Sequence, residues 1–358
     1  MNRILRTLAL VAMVATAAAC GGSDDSSATT APASSTPGSS TEPAATTAPP
    51  TTEEATTTTM APVPVYPLTG LPITDPAVAA RPALVVKIDN NKAARPQSGL
   101  ITADIVFEEI IEVQTRFAAV FHSQGADPVG PIRSGRTQDI SLLGSLNRPL
   151  FLWSGGNANV TRDIRASDFI NLSAQIGDVY RGAGFFRSDQ RSNPHDLYAS
   201  TTAAWTLAPA GATPPPQQFQ YRAAGAAPLG DPATGADLNM DGLAIEWRFD
   251  AAAGTYLRSN GGTPHNDALT GTQIDTHNVI VMVVDYQPSP ADANSPEAQT
   301  IGSGEVLIFT GGTLQRGTWS RTDRLSPISF ADGAGNPLLL TPGRTWVEMA
   351  RVNTTTVV

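Results

Sequence analysis

Arg133 and Arg136 stand three residues apart in VGPIRSGRTQD, Val129 to Asp139, with Ser134 and Gly135 between them. Guanidinium groups are planar, permanently charged donors that match phosphate and carboxylate. Gly130-Pro131 marks a turn, and Ser134, Gly135 and Thr137 lie where a following helix would start. The unpaired N–H groups of a helix start, and its dipole, favour an anion. The expectation is an anion site built from Arg133, Ser134 and Arg136, with Arg116 joining from the preceding strand. The competing reading is scaffold, in which either arginine pairs with Asp139, Glu108 or Glu109.

Two other stretches carry polar groups at chain bends. ALVVKIDN puts Asp89 and Asn90 at a strand end, followed by Asn91, Lys92 and Arg95. Such ends are where α/β folds hold ligands, although consecutive Asn residues are also ordinary turn chemistry. FFRSDQRSNPHDLYAS brings Arg187, Arg191, His195 and Asp196 together. His195 could carry a proton or cap the helix that follows, and Glu109 is the second acid–base candidate. The four histidines, 122, 195, 265 and 277, lack metal-ligand spacing, so neither a metal site nor a cofactor is expected. Gly-x-Ser-x-Gly, His-Glu-x-x-His and Gly-x-Gly-x-x-Gly are all missing from the sequence, which lowers the case for an enzyme.

The elements that must position these groups follow from pattern. ALVVKIDN (83–90), ADIVFEEIIE (103–112), TRFAAVFHS (115–123) and PLFLWSGG (149–156) are apolar, β-branched runs and predict strands. The second and third should form a hairpin, with Arg116, Ala118, Val120 and His122 on one face. RTQDISLLGSL and NANVTRDIRASDFI have helical spacing. Pro- and Gly-rich sequence without periodicity then predicts an exposed connection. Beyond it LAIEWRFD, GTYLRS, NVIVMVVDY, GEVLIFTGG, LQRGTWSR, PLLL and RTWVEMA predict strands. The fold class is therefore mixed α/β (α+β): an N-terminal α/β domain with a mixed sheet over 63–212, a connection over 213–240, and a smaller β-rich C-terminal domain over 241–358.

What precedes the folded part indicates location. MNRILRTLALVAMVATAAAC has a basic start, a short apolar run and small residues before Cys20, the chain's single cysteine. This pattern predicts a lipoprotein signal over 1–20 with lipid on Cys20, and two or three acyl chains anchor stably. Residues 21–62 are Ser, Thr, Pro and Ala with few apolar side chains, which predicts a disordered tether with a reach of about 35 Å. The whole chain carries −9. Without Arg3 and Arg6 it carries −11, and setting aside Asp24, Asp25, Glu42, Glu53 and Glu54 leaves −6 on the remainder. Such a balance argues against a nucleic-acid surface while leaving room for one local basic site.

PLTGLP (67–72), VVKIDN and ARPQSGL within 85–100, ADIVFEE (103–109), TRFAAVFHS and GPIRSGR (130–136) together resemble the YerB-like lipoprotein family, as do the later GGNA, NPHDLY, HNVIV and PGRTW. The family pattern has a Gly pair where this chain has Val113-Gln114. The resemblance implies two domains and an envelope location, and it carries no assigned activity. Two functional classes stay open. One is an extracytoplasmic, membrane-anchored lipoprotein binding an anionic ligand or cell-wall component through Arg116, Arg133, Ser134, Arg136, Asp89 and Asn90. The other is an envelope enzyme acting on phosphate-linked or carboxylated wall precursors, with His195 or Glu109 as acid–base. Their separation turns on whether a titratable group lies within reach of the arginines.

Overall fold

The computed structural model describes residues 63–358, so the expected leader, Cys20 and the whole Ser/Thr/Pro-rich stretch over 21–62 lie outside the described residues. The expected hairpin forms from β2 (Ile105–Ile110) and β3 (Thr115–Phe121), and β1 (Leu84–Asp89) pairs antiparallel with β3 on its other side. β4 (Leu150–Trp153) runs parallel to β1, and β5 (Ile170–Ser173) parallel to β4. β5 falls at the end of the run read as one helix. That helix, α2 (Ala158–Ala166), starts at Asn157, whose side chain accepts from the Val160 N–H.

The C-terminal half adds β6 (Gly235–Met240), β7 (Leu243–Asp250), β8 (Thr255–Asn260), β9 (Asn278–Val283), β10 (Gly302–Thr310), β11 (Thr313–Arg321), β12 (Ser329–Ala331), β13 (Thr345–Ala350) and β14 (Thr355–Val357). β6 lies at the end of the 213–240 stretch expected to be a connection, and PLLL is irregular backbone that bridges Ala331 through Pro337 and Tyr221 through Leu340. One large mixed sheet runs β12-β11-β10-β9-β13-β2-β3-β1-β4-β5, with β13 parallel to β2. A smaller antiparallel sheet contains β8, β7, β6 and β14.

Alternation along the strands splits the core. Leu84, Val86 and Ile88 face one side of the large sheet and share a cluster with Ala236, Leu238, Met240 and Trp247 of the smaller sheet. Val85, Ala118 and Val120 face the other, where Val160 and Ile164 of α2 cover them together with Leu142, Leu143 and Leu146. Trp247 meets Trp346 edge-on across the two sheets, with centroids 5.4 Å apart. The result is a mixed α/β N-terminal half followed by a β-rich C-terminal half, with α2 on one face of the large sheet and the second sheet, joined by the short helices Gly177–Gly182 and Thr201–Trp205, on the other.

Candidate functional site: the fork between two parallel strands

β1 and β2 are both antiparallel to β3, so the C-terminal ends of β1, β2, β4 and β5 share one edge of the sheet. Pairing between β1 and β4 stops at Val86 and Leu152. Beyond that point the basic turn takes β4's place. Asp89 N–H donates to Pro131 O at 2.9 Å and Arg133 N–H to Lys87 O at 2.9 Å. On the far side Ile132 N–H donates to Leu197 O at 2.6 Å, and Gly135 N–H to Gly155 O at 3.2 Å. GPIRSG is thus an extended strip seated in the fork. α1 (Gln138–Leu142) begins after both arginines, so they do not share a helical face as the Ser/Gly/Thr pattern predicts. The N–H groups that would open a helix are spent on strand-like bonds to neighbouring chain.

The two arginines consequently face different partners. Arg133 Nε lies 3.1 Å from Asp89 Oδ2, and His195 Nδ1 donates to that same oxygen at 2.6 Å. A carboxylate only accepts, so Nδ1 carries the proton and Nε2 of a neutral ring is the open acceptor. Asp89 is fully buried, whereas the Arg133 and His195 side chains remain 24% and 18% exposed. Among the described residues nothing is bonded to the terminal nitrogens of Arg133 or to His195 Nε2. Arg136 instead makes a bidentate pair with Glu112, both contacts at 2.9 Å. Burial alone would raise the Glu112 carboxyl, but the Arg136 hydrogen bonds and charge outweigh it and hold the group at about 2.

Arg116 lies opposite both Asp89 and Glu109 in the strand register and donates through Nη1 to Ser134 O at 3.0 Å. Burial, then the charges of Arg136 and Arg133, pull its pKa down to about 9 against the opposing pull of Asp89, and its Nε is buried with no partner. Arg116, Arg133 and Arg136 are therefore close enough to repel one another. Ser134 and Arg136 line a cavity of about 200 Å³ with Asn157, Ser295, Glu112 and Asp292. Its two carboxylates outweigh the one guanidinium. The unspent positive charge of the turn sits on the Arg133 side.

Glu109 and Asn90 are brought to other places. Glu109 accepts from Lys87 Nζ and from Gln138 Nε2, each at 2.7 Å, and Lys87 also reaches Asp139 at 2.7 Å. The whole group is sealed from solvent. Burial and the neighbouring Asp139 raise Glu109 to about 7, with Lys87 pulling the other way. Asn90 points to the opposite face of the sheet. It donates to Glu108 at 3.0 Å and Thr115 at 2.7 Å, and accepts from Arg95 and Gln97. There Glu108 also holds the fully buried Arg258 at 2.6 Å. Facing it, Glu348 takes the Trp247 indole N–H at 2.8 Å and is pushed well above the carboxylate range by burial and by Glu108.

Residues the sequence reading passed over include Lys87, Glu112, Arg258 and Glu348. Lys87 had a signal: a lysine inside an apolar strand run must find a counter-charge. Arg258 and Glu348 had none, because their partners lie in other strands. Among the described residues no group of three or more His, Cys, Asp or Glu is placed to hold a metal, and no helix is long and apolar enough to cross a membrane.

A mixed sheet with a polar fork at its strand ends, continued by a β-rich half, is an architecture with known relatives. The chain belongs to the family described as "Protein of unknown function (DUF3048)": the N-terminal domain model matches residues 68–213 and the C-terminal domain model residues 236–347. This bears out the resemblance to YerB-like proteins. The chain is 28% identical over 304 residues to the "Putative lipoprotein YerB" of Bacillus subtilis (strain 168), covering 79% of this chain and 85% of that protein. It also superposes on the crystal structure of YerB protein from Bacillus subtilis with a TM-score of 0.71 and 24% identity, over 82% of this chain and 99% of the other. That second likeness establishes the fold alone.

Proposed function

We propose that this protein is a membrane-anchored extracytoplasmic lipoprotein that holds an anionic ligand, such as a cell-wall component, at the fork between β1 and β4. The observation that carries the binding reading is the single carboxylate oxygen, Asp89 Oδ2, shared by Arg133 Nε and His195 Nδ1. It holds His195 by a hydrogen bond and Arg133 by an ion pair, and the terminal nitrogens of Arg133 and His195 Nε2 remain for a ligand. Charge-assisted bonds of this kind contribute roughly 1.5–3 kcal/mol each. Titrating pyrophosphate and phosphosugar analogues into wild type and Arg133→Gln is the test. Arg133→Gln should weaken binding about tenfold or more, while Arg136→Ala, which removes the partner of Glu112, should leave affinity within about twofold. Equal affinities for Arg133→Gln and wild type would overturn the reading.

Anchoring rests on the lone Cys20 after an apolar leader, and a relative whose name includes lipoprotein supports it. Cys20→Ala should release the protein from the membrane fraction or leave an uncleaved precursor. Normal processing with full membrane retention would exclude lipidation there.

A second reading is favoured by one observation: His195 stands beside Arg133 with a carboxylate on its Nδ1. This arrangement suits a general base that takes a proton from water at Nε2 while Arg133 holds a phosphoryl or carboxyl oxygen. Release of phosphate from sugar pyrophosphates, lost in His195→Gln while ligand still binds, would establish the enzyme. Binding without turnover in wild type would leave the first reading.

A further inference from the structure

A second polar cleft lies away from the fork, between the loop after β1 and the turn after β8, with a volume of about 560 Å³. Two cations line it, Lys92 and Arg95, together with Asn260, Asn266 and the rings of Pro96 and Pro264. No carboxylate is among the lining residues. Glu246 reaches the same turn from outside the lining, where it accepts from the Gly262 N–H at 3.1 Å. In a chain with an excess of acidic side chains, a cleft whose only charges are positive needs an explanation.

Its walls are fixed. Arg191 clamps the loop through the carbonyls of Ala93 and Pro96, at 3.0 and 2.6 Å. Arg95 is anchored by Nε on Asn90 Oδ1 and by Nη2 on Asn90 O, both at 3.0 Å, which leaves Nη1 free among the described residues. Its own burial and then the charge of Arg258 press its pKa down, a penalty that a bound anion would relieve. His265 forms the floor. Arg258 donates to its Nδ1 at 2.6 Å, so Nε2 bears the proton and donates to Gln97 Oε1 at 2.7 Å. Burial and the two arginines keep that ring neutral. Lys92 is exposed on a single 3-10 turn, and its ammonium is bonded to no described residue.

We infer that this cleft binds an anionic carbohydrate. Lys92 and Arg95 Nη1 take carboxylate or phosphate groups, the Asn260 and Asn266 amides pair with hydroxyls, and the proline rings offer flat C–H surface to a sugar ring. A cation does not fit a lining whose charges are both positive, and an inorganic ion would leave the amides and rings unused.

The test is calorimetric titration of the full-length protein in detergent with galacturonic acid tetramers, glucose 6-phosphate, inorganic phosphate and a neutral maltotetraose. The acidic sugars should bind more tightly than inorganic phosphate, with affinity falling as salt rises, and maltotetraose should give no measurable heat. Lys92→Glu should lower the acidic-sugar affinity tenfold or more without moving the melting temperature, because that side chain holds no structural contact. The Lys92→Glu comparison is repeated in the Arg133→Gln background, where the fork no longer contributes, and the loss of acidic-sugar affinity should be the same. Equal binding of neutral and acidic sugars, acidic sugars no tighter than phosphate, an unaffected Lys92→Glu, or no binding at millimolar probe would each overturn the inference.

Discussion

At the residue scale, the fork is a place where charge is enclosed and therefore matched. Lys87 and Asp89 project to the same face from one strand, and Arg116, opposite Asp89, is already crowded by Arg136 and Arg133. Full burial forces each carboxyl either to find a cation or to hold its proton. Asp89 does the first. Glu109 is split between Lys87 and Asp139, and its pKa of about 7 lies above the ordinary value near 4.5. Folding therefore takes up a proton between those two pH values. The stability from this group is full below about 4.5 and is lost as pH rises through about 7. Glu109→Gln removes that titration. From pH 5 to pH 8 wild type should lose about 1–3 kcal/mol relative to the variant, read from urea unfolding at both pH values. Parallel pH profiles would mean that the proton resides on another group.

At the element scale, the strip 130–135 matters more than the helix after it. α1 has five residues, and Thr137 before it makes no side-chain cap; its hydroxyl goes to Ser289 at 2.6 Å and to Glu297 instead. What fixes the turn is close packing at Gly135. A Cβ there would come within 2.8 Å of Ile164 Cδ1, 2.9 Å of Trp153 Cε3 and 3.2 Å of Phe151 Cε1. These belong to α2 and β4, and none is a flexible polar tip. Gly135→Ala should cost about 1–3 kcal/mol by overpacking, a fall of several degrees in melting temperature, and should weaken ligand binding by shifting the strip that carries Arg133. An unchanged melting temperature would show that α2 gives way without cost. The sequence made the arginine pair and the strands visible, since β7 coincides with LAIEWRFD and β1 lies within ALVVKIDN. The helix start was misplaced because Ser, Gly and Thr favour caps locally, and a tertiary strand contact outbid that preference. β6 was missed although Ala236, Leu238 and Met240 alternate with Asp237 and Asn239, because the run is short and follows directly on Pro- and Gly-rich sequence.

At the scale of the whole molecule, the question is whether the two halves are separable. Their family models end and begin at 213 and 236, and composition marks the same stretch. Pairing between strands hundreds of residues apart leaves no local pattern, so a boundary in composition is readable where a shared sheet is not. Yet β2 pairs with β13 over Ile105–Glu108 and Thr345–Glu348. Trp346 stacks edge-on against Phe117 at 5.2 Å, and Arg258 from the C-terminal half is buried against Glu108 of the N-terminal half. Cutting the chain between the halves would leave β2 as an open, apolar edge, expose Val106, Ile110 and Phe117, and strand Glu108 without its cation. Removing one partner of a buried ion pair alone costs about 3–5 kcal/mol, a large share of the 5–15 kcal/mol that holds a protein folded. A fragment of residues 63–212 should therefore lack fixed tertiary packing, seen as lost near-UV circular dichroism and strong dye binding, and residues 63–358 should unfold in one calorimetric transition. Adding residues 213–358 in trans should restore the near-UV signal by supplying β13 and Arg258. A fragment that melts sharply by itself, or two resolved transitions in the longer protein, would mean that the halves fold independently and that the shared sheet is only a docking contact.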